Sequence, residues 1–119
     1  MRTKSMLPKR NPKKLNKLQF KTLAIMQEFA ATDIAEHGEN DGEVKLNHIP
    51  RPHGDHFHVG SGVVLTKDAT GLFNRGAWAA LDRKGLTRGG IFPFTTTLIH
   101  KEMDYDTGMR EQIVHGSYH

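Results

Sequence analysis

The sequence contains no cysteine, which removes disulfide frameworks, thiolate metal sites and thiol nucleophiles together. Any bound metal would have to be held by histidines and carboxylates. Long apolar runs are also missing: nothing approaches the roughly 20 residues that a membrane-spanning helix needs. No secretory-type apolar stretch follows the basic N-terminus. The expectation is therefore a cytoplasmic chain with no membrane partner. Nucleotide and hydrolase signatures are absent as well. Gly60-Ser61-Gly62 lacks the lysine and spacing of a phosphate-binding loop, and Ser61 lacks a G-x-S-x-G frame.

What remains is a chain of 119 residues, 36% hydrophobic and 25% charged, which suits one modest core. The expected organisation is a flexible basic arm over residues 1–11 and a single domain over residues 12–119, with a His- and Gly-rich loop at 38–62. The net charge is +4, and its distribution is uneven. Arg2, Lys4, Lys9, Arg10, Lys13, Lys14 and Lys17 precede the first acidic residue, Glu28. Glu28, Asp33, Glu36, Glu39, Asp41 and Glu43 then follow with no Lys or Arg among them. A basic arm of this kind can neutralise phosphates and release counterions, or it can serve only as a solvated tail.

Hydrophobic periodicity supplies the element order. Asn11 and Pro12 are suited to start a helix. Leu15, Leu18, Thr22, Ile25, Met26 and Phe29 continue it at three- and four-residue spacing, and Gly38 stops it, so the expected helix spans about 12–37. Val44 to Ile49 alternates as a short strand that Pro50 and Pro52 end. Residues 50–62 read as loop, and Gly62 to Thr66 as a strand. Thr66 can cap a short helical turn toward Phe73. A second helix runs from Asn74 to Leu86, with Ala77, Trp78 and Leu81 inward and Gly85 as its C-terminal cap. The apolar patch Ile91 to Phe94 precedes a strand over Thr95 to Met103, which a turn at Asp104 to Gly108 returns through Met109 to His115 as a hairpin.

This order, a long helix, a short strand, a helix-turn-helix and a C-terminal β-hairpin, describes an α+β, winged-helix-like fold. Within it, WAALDRKGL at residues 78–86 resembles the end of the recognition helix in winged-helix transcription regulators of the MarR and PadR type, where an Ala-Leu pair precedes a Lys-Gly-Leu exit. The resemblance covers residues 62–115 and implies a DNA-binding regulator, without catalysis or cofactor, whose second helix enters the major groove. On a helical projection the outer face of that helix carries Arg75, Gly76, Ala79 and Arg83. Small residues there allow close approach to bases, and the arginines reach phosphate or guanine edges. Arg88, Lys13, Lys14 and Lys17 would add phosphate contacts. Glu102, Asp104 and Asp106 at the expected hairpin tip oppose that reading, since carboxylates repel phosphates.

Two other readings stay open. His56 and His58 fall on one face of an extended segment and can chelate, with His53, Asp55, His48 or His100 available to complete a zinc site in a metal-binding protein or small metalloenzyme. Alternatively, the acidic block at 28–43 could contact a protein partner. A homodimer could form through the N-terminal helix or the Ile91–Phe94 patch.

Overall fold

Asn16 starts the first helix. Its side chain accepts the Gln19 backbone N–H at 2.8 Å, and the Gln19 side chain accepts the Asn16 N–H at 3.0 Å. This reciprocal cap satisfies two of the donors that a helix start leaves open. Helix α1 then spans Lys17–Phe29. The computed structural model describes residues 14–51, 54–60, 62–99 and 114–116, the last segment by its backbone. Asn11 and Pro12, expected to open this helix, lie outside them. The helix also ends earlier than expected. Thr32 Oγ1 donates to the Phe29 carbonyl at 2.6 Å, a local side-chain bond that competes with another helical turn, and Ala35–His37 is a strand, β1.

The remaining strands are β2 (Val44–Leu46), β3 (His56–Val59), β4 (Gly62–Leu65), β5 (Thr87–Ile91), β6 (Thr95–Leu98) and β7 (Val114–Gly116). They form two antiparallel sheets, ordered β1-β2-β6-β5 and β3-β4-β7. Two expectations are corrected here. Residues 50–62 are not simply loop, because Phe57 and Val59 bury one side of β3 while His56 and His58 face out. Alternation, concealed by the surrounding glycines and histidines, makes this a half-buried strand paired with β4.

The second correction concerns the hairpin. Strand β6 pairs with β5, and β7 pairs with β4 in the other sheet, so Thr95–Leu98 and Val114–Gly116 are not partners. The chain folds back immediately after α2 because Gly90 takes φ +90°, a conformation open to glycine. A Cβ at Gly90 would also run into the Thr95 carbonyl. Asp104 to Gly108, expected as the hairpin turn, lie outside the described residues.

Between β4 and the second helix, the expected helical turn is present as two 3-10 turns, Thr66–Asp68 and Thr70–Phe73. Gly71 allows the second to lie against α1, since a Cβ there would overlap Thr22 Oγ1. Lys21 of α1 reaches Asp68 at 2.8 Å, fastening the first. Helix α2 spans Arg75–Arg83. The core gathers around α1, whose Leu23, Ile25 and Met26 are fully buried. Leu46 and Leu98 come from the first sheet, Val64 from the second, and Leu72, Leu81 and Leu86 from the turns and α2. Phe29 stacks on Phe57, with ring centroids 6.5 Å apart, joining the end of α1 to the second sheet. The apolar face of α1 is buried within the chain. No helix among the described residues is long and apolar enough to cross a membrane.

Candidate nucleic-acid interface

Both ends of α2 are closed by specific residues. Asn74 Oδ1 accepts the Ala77 N–H at 2.9 Å. At the other end Gly85, at φ +80°, donates to Asp82 O at 3.0 Å and Leu86 N donates to Leu81 O at 3.0 Å. This is the glycine-terminated exit in which the residue after the glycine packs back on the helix, and Leu81 and Leu86 are both fully buried. Ala77, Trp78, Ala80 and Leu81 form the buried side of the helix. Arg75, Gly76, Ala79, Asp82 and Arg83 are exposed. The four outer-face residues expected from the projection thus share one solvent-facing stripe. Asp82 lies on it too, its carboxylate accepting the Thr87 hydroxyl.

The hairpin β5–β6 folds its tip onto the start of α2. Phe92 meets Trp78 edge to face with ring centroids 5.1 Å apart, and the Arg75 guanidinium lies 4.6 Å from the centre of the Phe92 ring, within cation–π range. Nearby, Arg51 covers the Phe73 ring at 5.5 Å. No local sequence signal links Arg51 to Phe73, which is a tertiary contact between a segment after β2 and the end of the second 3-10 turn. At the opposite end, Lys84 Nζ donates to the Lys14 carbonyl at 2.9 Å. Lys14 and Lys17, both exposed, therefore enter the domain beside the C-terminal end of α2. Lys13 lies outside the described residues.

Arg88 has a different setting. Its Nε and Nη2 donate to Glu43 at 2.9 and 2.6 Å, and Nη2 also reaches Glu39 at 3.3 Å. The guanidinium holds the Glu43 carboxyl down at about 2, with Asn40 adding its side-chain and backbone donors. Glu43 in turn raises the pKa of Arg88. Arg88 is thereby paired with carboxylates, with its side chain still 39% exposed. It borders an open groove of about 550 Å³ on the outer face of the first sheet, together with Glu36, Glu39, Lys45, Thr95 and Thr97. In that sheet Lys45 sits opposite Glu36. The mixed charge of this face does not suit a polyanion.

The histidines keep the geometry expected of H-x-H. His56 and His58 are exposed on one face of β3 with ring centroids 5.8 Å apart. His56 Nδ1 faces Asp55 Oδ1 at 2.8 Å, and the His56 ring holds the Asp55 carboxyl below its ordinary range. A carboxylate on one ring nitrogen would orient the other toward a metal. His53 and His100 lie outside the described residues, and among those described no group of three or more such ligands comes together.

The class defined by these features is an α+β domain, with two α-helices and two antiparallel sheets among the described residues and with Arg75, Ala79, Asp82 and Arg83 exposed on the second helix. Comparison of the chain with protein-family models, curated proteins and solved structures finds no match.

Proposed function

We propose that this protein is a small nucleic-acid-binding factor of winged-helix type that reads duplex DNA through the outer face of α2, with β5–β6 as the wing. The observation that carries the reading is the two-sidedness of α2. Trp78 and Leu81 anchor it, while Arg75, Gly76, Ala79 and Arg83 face solvent. A face so low in bulk lets the helix axis approach base edges, and arginine is the side chain that pairs bidentately with guanine. The chain runs through α1, the β1–β2 hairpin, the β3–β4 pair, two 3-10 turns, α2 and the β5–β6 hairpin, with β6 between β2 and β5.

The wing has acidic neighbours, since Gly89, Gly90 and Ile91 share a groove with Glu36 and Glu39. Its tip is Gly89 to Phe94, a stretch without a carboxylate, and Glu102, Asp104 and Asp106 are not in it. Lys14 and Lys17 extend the positive surface from the far end of α2.

The test is a salt titration of binding to duplex DNA. Affinity should fall steeply with salt, and Arg75→Ala with Arg83→Ala should lower the slope of log K against log salt by roughly 2, about one for each phosphate no longer neutralised. Absence of binding at low salt, or a slope unchanged in the double variant, rules the reading out.

A further inference from the structure

Strand β3 carries a pair of histidines that the nucleic-acid reading does not use. Its inward residues fix the backbone. Phe57 is buried and stacks on Phe29 with ring centroids 6.5 Å apart, and Val59 is buried next to the turn that Gly60 makes at φ +61°. The residues ahead of the strand are tied to the exit of β4: Thr66 N donates to the Asp55 carbonyl at 2.9 Å, and Thr66 Oγ1 donates to the Gly54 carbonyl at 3.0 Å. His56 and His58 therefore stand on a fixed base, both exposed, opposite Leu65 and Val63 of β4. Val63 is in turn opposite His115 of β7, so the register row of His58 holds a further histidine position two strands away.

Three features of the pair suit a metal ion. The first is spacing. With metal–nitrogen bonds of about 2.0–2.1 Å, a ring centre lies roughly 3.2 Å from a zinc ion, so two rings sharing one ion have centres up to about 6.4 Å apart. The ring centroids of His56 and His58 are 5.8 Å apart, inside that limit. The second is orientation. His56 Nδ1 meets Asp55 Oδ1 at 2.8 Å. An ionised carboxylate only accepts, so Nδ1 carries the proton and Nε2 of the neutral ring keeps its lone pair. A carboxylate placed in this way fixes a metal-binding imidazole and raises its basicity. The third is access and charge, since both rings face solvent and the 95% exposed side chain of Asp55 sets a negative charge beside them.

We infer that His56 and His58 chelate one divalent transition-metal ion through a ring nitrogen each, with Asp55 holding the His56 ring and water filling the remaining positions. Among the described residues no group of three or more such ligands comes together, so the ion keeps open positions. That is the coordination of an exchangeable site and not of a closed structural one. Imidazole donors favour zinc, nickel and copper, whereas magnesium takes oxygen ligands. The site lies on the second sheet and not on α2, and it stands whether or not the chain binds DNA.

The experiment uses the untagged full chain, titrated with zinc in a calorimeter and with nickel as a paramagnetic probe in NMR. Zinc should bind at one ion per chain, and magnesium at the same concentration should not bind. Nickel should broaden the ring signals of His56 and His58 before those of His37, which is exposed on the first sheet. His56→Ala and His58→Ala should each weaken zinc binding by at least about tenfold, and Asp55→Ala by about tenfold, the loss expected when the group that orients a ligand is removed. His37→Ala should bind zinc as the wild type does, and so should Arg75→Ala with Arg83→Ala. Metal-free circular dichroism and Tm should stay at wild-type values, because each substituted histidine is exposed; the nickel broadening, read on the wild type, tests the site without any variant. Zinc affinity that survives His56→Ala with His58→Ala, or broadening centred on other histidines, overturns the chelate. Zinc affinity unchanged in Asp55→Ala overturns the part assigned to the carboxylate.

Discussion

Arg88 of β5 and Glu43, which directly precedes β2, form a two-point ion pair across β6, the strand between β2 and β5, with N···O distances of 2.9 and 2.6 Å. Glu43 is the buried member, and it follows the turn that Gly38 makes possible. A Cβ on Gly38 would come within 2.6 Å of the Glu43 Cβ. The pair therefore ties the β1–β2 hairpin to β5, the strand that leads into the proposed wing.

The pH dependence follows from the direction of the shift. The Glu43 carboxyl is lowered from 4.5 to about 2, first by Arg88 and then by Asn40. A depressed folded-state value means that stabilisation is complete above the unfolded value and fades as pH falls through the folded one. Wild-type stability, followed by denaturant unfolding at a series of pH values, should decline from about pH 4.5 toward pH 2. Glu43→Gln should be less stable at neutral pH and show a flatter profile over that interval. Arg88→Lys should also be destabilised, because a single ammonium cannot reproduce the two-point contact.

Gly71 gives a packing prediction. Gly71→Ala places a methyl onto Thr22 Oγ1 and within 3.1 Å of the Thr22 Cβ, at the seam between α1 and the second 3-10 turn. Overpacking of this kind costs about 1–3 kcal/mol, and thermal unfolding should show it as a lower Tm. Thr22→Ala removes the overlapping oxygen, so the double variant should recover part of the loss. Strict additivity of the two single effects would contradict the contact, since neighbouring sites that share a clash do not add.

How far the fold could be read from the sequence depended on how local each signal was. Helix α2 was legible because its cap, apolar spacing and exit glycine all lie within Asn74 to Leu86. The ends of α1 were not, because its start is set by the reciprocal bond between Asn16 and Gln19 and its end by Thr32 drawing on the Phe29 carbonyl. The hairpin was mispaired for a related reason. Strand propensity identified Thr95 to Leu98, but partner choice rested on the conformation of Gly90 and on non-local register. At the candidate site the stripe Arg75, Gly76, Ala79 and Arg83 followed from helical periodicity alone. The occupation of Arg88 by Glu43, and the Arg51–Phe73 and Arg75–Phe92 contacts, depend on tertiary approach across 45, 22 and 17 residues of chain.

Asn74→Ala tests whether the start of α2 limits its stability. The substitution removes the acceptor for the Ala77 N–H at a helix of 9 residues, too short to persist without capping and tertiary contacts. A loss of about 1 kcal/mol is expected. Asn74→Asp should retain the stability, since its carboxylate accepts the same bond. Hydrogen exchange at Ala77 and Trp78 should accelerate in the alanine variant before that of Leu23 or Ile25 in α1.

Ala79→Glu separates folding from recognition. Ala79 is exposed at the middle of the outer stripe, one helical turn from both Arg75 and Arg83, so glutamate there adds a good helix former that buries nothing. Circular dichroism and Tm should stay close to wild type. For the duplex the change is severe: the carboxylate would stand where the helix must approach closest, repelling phosphate and competing for both arginines. Affinity at low salt should fall by at least about tenfold, equivalent to about 1.4 kcal/mol. Ala79→Gln, of similar size but neutral, should lose less. Equal losses in the two variants would point to bulk instead of charge at this face, and binding retained by Ala79→Glu would move the contact away from α2.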